Sequence, residues 1–195
     1  MNIVKALAGG ALALGVVAGC GPKGPVLHVY TWSDYIDPEV VAEFEKQNGC
    51  TVAIDTFDSN ESMYTLLESG AAEYDVVIPS DYMIGKMIQE DMLAELNFDN
   101  IPNYQYIGED FRGLYYDPDN QYTVPYTYGI VGVIYNANVV DEADIGSWDL
   151  LWNHKYKGKI LQFNNPRDAF ATAMYYKGLD VNSTDKAVWD YALEL

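Results

Sequence analysis

An indole, a hydroxyl, a carboxylate and a phenol follow one another near the start of the chain, at Trp32-Ser33-Asp34-Tyr35. The carboxylate can bind a protonated amine through charge-assisted hydrogen bonds. The aromatic faces can attract an ammonium group and cover methylene groups. This set therefore suits a ligand that is cationic at one end and apolar along its length. From these residues alone, a polar turn beside two packed aromatic rings is the simpler interpretation.

The flanking residues place this set in a loop between a strand and a helix. Residues 28–31 form a short β-prone run. Asp37-Pro38-Glu39 is typical of a helix start, with an N-cap, a proline at the first helical position and an acid in the first turn. In an open α/β sheet, ligands bind beyond the carboxyl ends of the strands. The loop is therefore a candidate binding site.

The next segments continue a strand–helix alternation that predicts an α/β unit with right-handed crossovers. In chain order we expect a helix at Pro38–Gln47, a strand at Thr51–Ile54, a helix at Glu61–Glu68, a strand at Asp75–Pro79 and a helix after Ser80-Asp81-Tyr82. In a doubly wound sheet the first and third strands can be neighbours. Ser80 and Tyr82 are then expected near the first loop, although Ser80 could also serve as a helix N-cap.

The second half of the chain is expected to form a further, smaller set of elements. The predicted strands are 122–125, 129–135 and 160–163, and the predicted helices begin at Ser147, Asn165-Pro166 and Thr184-Asp185. Asn165 and Asp168 again follow a strand and precede a helix. The last helix should still be running at Leu195 without a cap, which suggests that the chain stops before the fold does.

The amino terminus has the pattern of a secretory signal over residues 1–19. Lys5 precedes an apolar run, 6–17, that is too short for a comfortable membrane span. Val17-Ala18-Gly19-Cys20 resembles a bacterial lipoprotein signal, in which the cysteine is lipidated after cleavage, although Val17 replaces the usual leucine. Residues 20–26 would then be a tether. Plain secretion with a free Cys20 is the alternative.

The charge balance excludes one class of partner. The chain has 11 basic and 29 acidic residues, a net charge of −18, so no basic stripe could meet the phosphates of a nucleic acid. A negative field can concentrate cationic ligands, although acidic side chains also keep a protein soluble. The chain contains no nucleophile elbow, zincin helix or Walker loop. We therefore expect no cofactor, no metal centre and no enzymatic activity.

Several segments, in their order and spacing, resemble the spermidine/putrescine-binding proteins, the substrate-capturing components of polyamine ABC importers. They are residues 29–35, 57–61, 74–80, 123–126, 147–151 and 156–158. The likeness spans residues 27–195. It implies a type II periplasmic-binding-protein fold with two α/β lobes, lobe 1 at 27–125, and a hinge with an incomplete lobe 2 at 126–195. It also implies a monomer that binds the polyamine between its lobes and delivers it to permease subunits at the membrane.

The resemblance also implies a set of ligand-binding residues. Trp32, Ser33, Asp34 and Tyr35 match the family's first binding loop, and Ser80 and Tyr82 match the second. Asp168 matches an acidic ligand on the opposite wall. Asn165 matches a position that is aspartate in spermidine-preferring relatives, which leaves the choice between spermidine and putrescine open. The family is longer than this chain, and its remaining ligands would lie beyond Leu195.

Two other functions are compatible with these residues. The same fold could bind an amino acid, a ferric ion or another small cation. A secreted acid/base hydrolase could instead use Asp34 and Asp168 as paired carboxylates, which would require the two carboxyl groups to lie close together. No partner that would activate a water molecule is evident for that reaction.

Overall fold

The computed structural model of the chain describes residues 24–195. The predicted signal sequence at 1–19 and the predicted lipidation site at Cys20 lie outside the described residues. Within 24–195, none of the helices has the length and apolar character that a membrane crossing requires.

A parallel sheet of three strands forms the centre of the first half of the described chain. Its strands are β1 (Val26–Trp32), β2 (Thr51–Phe57) and β3 (Val76–Val77), arranged in the order β2-β1-β3. β1 pairs with β2 over its full length but with β3 only through Val29 and Tyr30. The predicted adjacency of the first and third strands is therefore confirmed.

Each strand is followed by a helix, as the alternating pattern predicts. The helices are α1 (Pro38–Asn48), α2 (Asn60–Glu68) and α3 (Asp81–Gln89). The Asp37 carboxylate accepts a hydrogen bond from the N–H of Glu39 and caps α1. Ser59 caps α2 by accepting from the N–H of Ser62. These caps satisfy backbone donors that would otherwise have no partner in the first helical turn.

The main core lies between the sheet and the helices α2 and α3. Tyr30 and Phe57 from the strands pack with Met63, Met83 and Met87 from the helices, and all of them are buried. Helix α1 contributes no buried residue. The helices that carry the core are therefore the two whose first residues lie beyond the carboxyl ends of β2 and β3.

After α3, the segment 97–122 contains short 3₁₀ turns at Phe98–Asn100, Pro102–Tyr106 and Glu109–Phe111. Its end is fixed by Asp117, which is buried. The Asp117 carboxylate accepts from the backbone N–H groups of Gln121, Tyr122 and Thr123 and from the Thr123 hydroxyl. A single side chain thus replaces the hydrogen bonds that a regular element would provide.

The second half is built mainly from helices. After 3₁₀ turns at Glu142–Asp144, Trp148–Trp152 and His154–Tyr156, the chain forms α4 (Pro166–Lys177) and α5 (Lys186–Leu193). Ala173, Met174 and Ala192 form the buried centre of this helix pair. Ser147 and Asp185 cap their elements as predicted, but the element after Ser147 is a 3₁₀ turn rather than an α-helix.

Several predicted elements are absent or shorter. Within residues 24–195 no strand forms at 122–125, 129–135 or 160–163, β3 has two residues, and α5 ends at Leu193. A strand requires a neighbour that satisfies its backbone groups, and no backbone hydrogen bond is made by residues 129–135 in the described chain. Ile130 and Ile134 are accordingly 93% and 100% exposed. The strand predictions there are wrong because β-propensity alone does not supply a partner.

We expect Asp117→Ala to lower the free energy of unfolding by about 2–4 kcal/mol, because four donors lose a charged acceptor in a buried site. Denaturant unfolding measures the change. The matched control is Asp119→Ala, which removes an exposed acid two positions away and should cost little. Equal destabilisation by the two variants would contradict this account of the turn.

Candidate functional site

A buried amide organises the loop that follows β3. Asn60, the first residue of α2, is fully buried. Its Nδ2 donates to Ser80 Oγ and to the Tyr82 hydroxyl oxygen, both at 3.0 Å, and its Oδ1 accepts from the Ser80 N–H at 2.9 Å. The Ser80 side chain makes no capping hydrogen bond to α3. Ser80 therefore occupies the N-cap position of α3, as the sequence allows, but its hydroxyl is bound by the Asn60 amide instead of capping the helix.

Tyr82 lies where the two halves of the described chain meet. Its hydroxyl donates to Glu61 Oε1 at 3.0 Å, and its oxygen lies 3.5 Å from Asn165 Oδ1. Burial raises the pKa of Tyr82 above its ordinary value; the hydrogen bond from Asn60 opposes this effect, whereas Glu61 and the charge of Asp168 add to it. The hydroxyl therefore keeps its proton at physiological pH.

Asn165 and Asp168 lie at the start of α4, opposite Tyr82. Asn165 is buried and makes no capping hydrogen bond with its side chain. Its Nδ2 instead donates to Asp168 Oδ2 at 2.7 Å. Tyr82, Asn165 and Asp168 thus form one line of polar contacts from the start of α3 to the start of α4.

A cleft of about 220 Å³ opens beside this line. Its polar wall includes Ser80, Asp81 and Asp168, and the Asp81 carboxylate accepts from the Tyr115 hydroxyl at 3.0 Å. Its aromatic wall includes Tyr82, Tyr115, Tyr175 and Trp189. Carboxylates beside aromatic faces are the groups that replace water around a protonated amine. The cleft can therefore hold a small organic cation.

One cation already belongs to this cleft. The Arg167 guanidinium lies 5.2 Å from the ring centre of Tyr82 and 5.5 Å from that of Trp189. No carboxylate of the described residues lies within ion-pair distance of it. Two of the aromatic faces are thus shared with a fixed positive charge, and a bound ligand must be compatible with that charge.

The first predicted loop lies elsewhere on the same core. Trp32 ends β1 half-buried, with its ring centre 4.5 Å from that of Phe57. Asp34 is exposed and has a left-handed backbone, with φ of 57°. The Tyr35 carbonyl accepts from the Tyr126 hydroxyl at 2.6 Å. Trp32 and Tyr82 both pack against the main core, but none of the residues 32–35 lines the cleft.

The structure therefore brings together only part of the predicted set. Asn60 binds Ser80 and Tyr82, and Asn165 binds Asp168. The residues of the first loop, Trp32, Ser33, Asp34 and Tyr35, do not line this cleft. Because Asp34 does not line the cleft that contains Asp168, the paired carboxylates of the hydrolase hypothesis do not share a site. No group of three or more potential metal ligands occurs within residues 24–195.

Sequence reasoning missed Asn60, Glu61 and Arg167. Asn60 precedes and Glu61 begins a predicted helix, and both lie in the 57–61 segment that carries the family resemblance. Arg167 belongs to no motif. Asn60 and Glu61 bind side chains 20 to 22 positions away, and Arg167 contacts the rings of Tyr82 and Trp189, so local spacing could not reveal these contacts.

The α/β fold, with a ligand-sized cleft beside the carboxyl ends of its strands, defines a binding protein of small solutes. Residues 39–195 match the family described as bacterial extracellular solute-binding protein. The chain belongs to this family.

One curated relative and two solved structures show which members of the family this chain is similar to. It is 35% identical over 182 residues to the spermidine/putrescine-binding periplasmic protein of Escherichia coli K12, covering 92% of this chain and 52% of that protein. The structure of the spermidine/putrescine ABC transporter substrate-binding protein PotD of Streptococcus pneumoniae matches with a TM-score of 0.67 and 38% identity, over 88% of this chain and 53% of that one. The TpPotD lipoprotein of Treponema pallidum matches with a TM-score of 0.75 and 28% identity, over 86% and 52%.

The chain spans about half the length of the curated relatives it matches. The resemblance to the spermidine/putrescine-binding proteins and the solute-binding protein fold are thus confirmed over that half. The relatives are named for binding and transport rather than for catalysis.

We expect Asn60→Ala to lower the free energy of unfolding by about 2–3 kcal/mol, because a fully buried amide with three hydrogen bonds is lost. Denaturant unfolding tests this, and Asn164→Ala, at an exposed position, is the control. A stability loss no greater than that of the control would mean that Asn60 does not organise the Ser80–Tyr82 loop.

Proposed function

We propose that this protein captures a polyamine, spermidine or putrescine, outside the cytoplasm and delivers it to an ABC importer. The ligand lies between a first lobe at 27–125 and a second lobe that begins after a hinge near 126–129. The observation that carries the proposal is the cleft itself, which Asp81 and Tyr82 of the first half line together with Asp168 of the second half. The names of the relatives support the choice of ligand class.

The physical basis is the exchange of water for fixed partners. A polyamine is protonated at neutral pH, and removing its ammonium groups from water is costly unless anions and hydrogen-bond acceptors replace the water. Asp81 and Asp168 provide the negative charge, one from each half of the described chain. An aromatic face adds about 0.5–2 kcal/mol per ammonium group. Binding therefore favours an arrangement in which both walls contact the ligand at once.

The first loop adds a second set of contacts in this proposal. Trp32, Ser33, Asp34 and Tyr35 bind the part of the polyamine that extends beyond the cleft. Tyr126 connects this loop to the hinge through its hydrogen bond to the Tyr35 carbonyl. A change at the hinge, such as lobe closure around the ligand, thus moves Tyr35. The permease subunits of the importer then recognise the closed form.

Asn165 affects the choice between polyamines. It is neutral, and its amide group already donates to Asp168, so this end of the cleft offers one carboxylate rather than two. A single ammonium group is therefore bound here. A ligand with two closely spaced charges at one end gains less from this wall than a simple terminal amine does.

A second ligand class has one specific observation in its favour. Arg167 lines the cleft without a carboxylate partner among residues 24–195. A guanidinium without a carboxylate partner in the protein can bind a ligand carboxylate through two parallel hydrogen bonds. An amino acid, with an amine for Asp168 and a carboxylate for Arg167, is therefore the alternative ligand.

In titration calorimetry, we expect the full chain to bind spermidine or putrescine, and Asp168→Asn to weaken that binding about tenfold or more. The reason is the loss of one charge-assisted hydrogen bond to an ammonium group. The control is Asp190→Asn, which removes the same charge from an exposed position on α5.

Binding of an amino acid with no heat from either polyamine would replace the proposal with the alternative. Equal weakening by Asp168→Asn and Asp190→Asn would show that only the overall charge of the protein matters. In that case Asp168 would not be a ligand-binding residue.

The proposal places a lipid anchor at Cys20. The sequence around it supports this, as does the likeness to a Treponema pallidum protein named as a lipoprotein. In a bacterial host, Cys20→Ala should move the protein from the membrane fraction to the soluble extracytoplasmic fraction, whereas Cys50→Ala should not. Mass spectrometry of the mature amino terminus checks the lipid directly, and an unmodified Cys20 would remove the anchor from the proposal.

A further inference from the structure

Residues behind the cleft wall determine the direction in which the Tyr82 hydroxyl donates its proton. A tyrosine hydroxyl has one proton to donate and lone pairs to accept with. Its nearest acceptor is Glu61 Oε1 at 3.0 Å, while Asn165 Oδ1 lies at 3.5 Å, beyond the usual range for such a bond. Glu61 is also charged, which makes it the stronger acceptor. The Tyr82 proton is therefore directed to Glu61 and away from the cleft.

Asn60, which precedes Glu61 in the first turn of α2, donates to the Tyr82 oxygen. Its Nδ2 donates one hydrogen to the Tyr82 oxygen and the other to Ser80 Oγ. The Tyr82 oxygen then has one lone pair left for a further donor. Tyr82 and Ser80 both line the cleft. An acceptor at this residue is the complement of an N–H of a protonated amine.

Glu61 also holds a charge that the described protein does not neutralise. Its Oε2 is buried and has no hydrogen-bond partner within residues 24–195, and no Lys, Arg or His lies within ion-pair distance of it there. A carboxylate in partly buried surroundings is screened less than a surface charge. It therefore exerts a negative field on the Tyr82 side of the cleft.

We propose that Glu61 is a positioning residue that holds the Tyr82 hydroxyl as an acceptor toward the cleft and adds negative charge behind it. Beside Tyr82, the site therefore selects a protonated amine of the ligand over a hydroxyl or a carboxylate. The proposal rests on the proposed function in that the ligand class is an amine. It goes beyond that function because it assigns the selection to a residue that does not line the cleft.

A purely structural role for Glu61 is the competing explanation. An acid in the first turn of a helix stabilises the helix through its dipole, and Glu61 lies in the first turn of α2. The same helix offers a comparison: the Tyr64 hydroxyl lies 2.9 Å from Glu68 Oε1 and 2.8 Å from Glu90 Oε2. Neither Tyr64 nor Glu68 lines the cleft. Glu68→Gln therefore removes a carboxylate that lies beside a tyrosine hydroxyl without touching the site.

The first test needs no ligand. Glu61, through its hydrogen bond and charge, helps to raise the pKa of Tyr82, and Asp168 adds to this effect, while Asn60 opposes it. The other charge facing this ring is Arg167. In the full chain labelled with 13C-tyrosine, NMR titration should show a lower pKa for Tyr82 in Glu61→Gln than in the wild type, and no change in Glu68→Gln. An unchanged Tyr82 pKa in Glu61→Gln would overturn the proposal, whatever the ligand.

The second test measures selection by calorimetry with putrescine and with 4-amino-1-butanol, in which a hydroxyl replaces one amine. Glu61→Gln should weaken putrescine binding about tenfold, because the neutral amide is a weaker acceptor of the Tyr82 proton and the charge behind Tyr82 is lost. It should also reduce the preference for putrescine over the amino alcohol. In a Tyr82→Phe background the same substitution should change binding less than about twofold, because coupled residues are not additive. Glu68→Gln should leave both affinities unchanged.

Two results separate the two proposals. If the wild type binds neither polyamine but the Tyr82 pKa falls in Glu61→Gln, the proposed function fails while the positioning of Tyr82 stands. If polyamines bind and Glu61→Gln weakens them equally with and without the Tyr82 hydroxyl, Glu61 does not act through Tyr82. Circular dichroism of each variant checks that α2 is still formed.

Discussion

The site depends on one constraint: a polar group that is buried must find its hydrogen bonds inside the protein. Asn60 is fully buried, and it meets this requirement only through Ser80 and Tyr82. The amide can be buried there because β2 and β3 flank β1 in one parallel sheet, so the starts of α2 and α3 lie at the same edge of the sheet. The position of Ser80 and Tyr82 in the cleft is therefore a consequence of sheet order and of one amide.

Much of the first half of the fold could be predicted from the sequence because its signals are local. Asp37 and Ser59 cap helices through backbone groups only two or three residues away, so the sequence at each helix start is sufficient. The strand predictions at 129–135 failed for the opposite reason. Their β-propensity is real, but a strand is stabilised by a partner elsewhere in the chain, and the described residues provide none.

The candidate site likewise has some residues that the sequence predicts and others that depend on distant parts of the chain. The resemblance predicts Ser80, Tyr82 and Asp168 as ligand-binding residues, and all three line one cleft, since each follows a strand or precedes a helix at a recognisable boundary. It could not separate them from Trp32 and Asp34, because the direction of a side chain after a strand depends on the local backbone. At Asp34 the backbone is left-handed and the side chain is exposed. Arg167 cannot be predicted from the sequence, because it contacts the ring faces of Tyr82 and Trp189, and no spacing rule identifies such contacts.

The balance of charge in the cleft explains why the supporting groups matter as much as the lining ones. Arg167 places a fixed cation on two aromatic faces, which by itself would oppose a cationic ligand. Asp81 and Asp168 offset this charge from the cleft wall, and Glu61 does so from behind it. Because an effective dielectric constant near 20 applies to such partly buried charges, each of these groups is felt across the cleft. The proposed preference for an amine therefore rests on the whole arrangement, in which the oriented Tyr82 oxygen gives it direction.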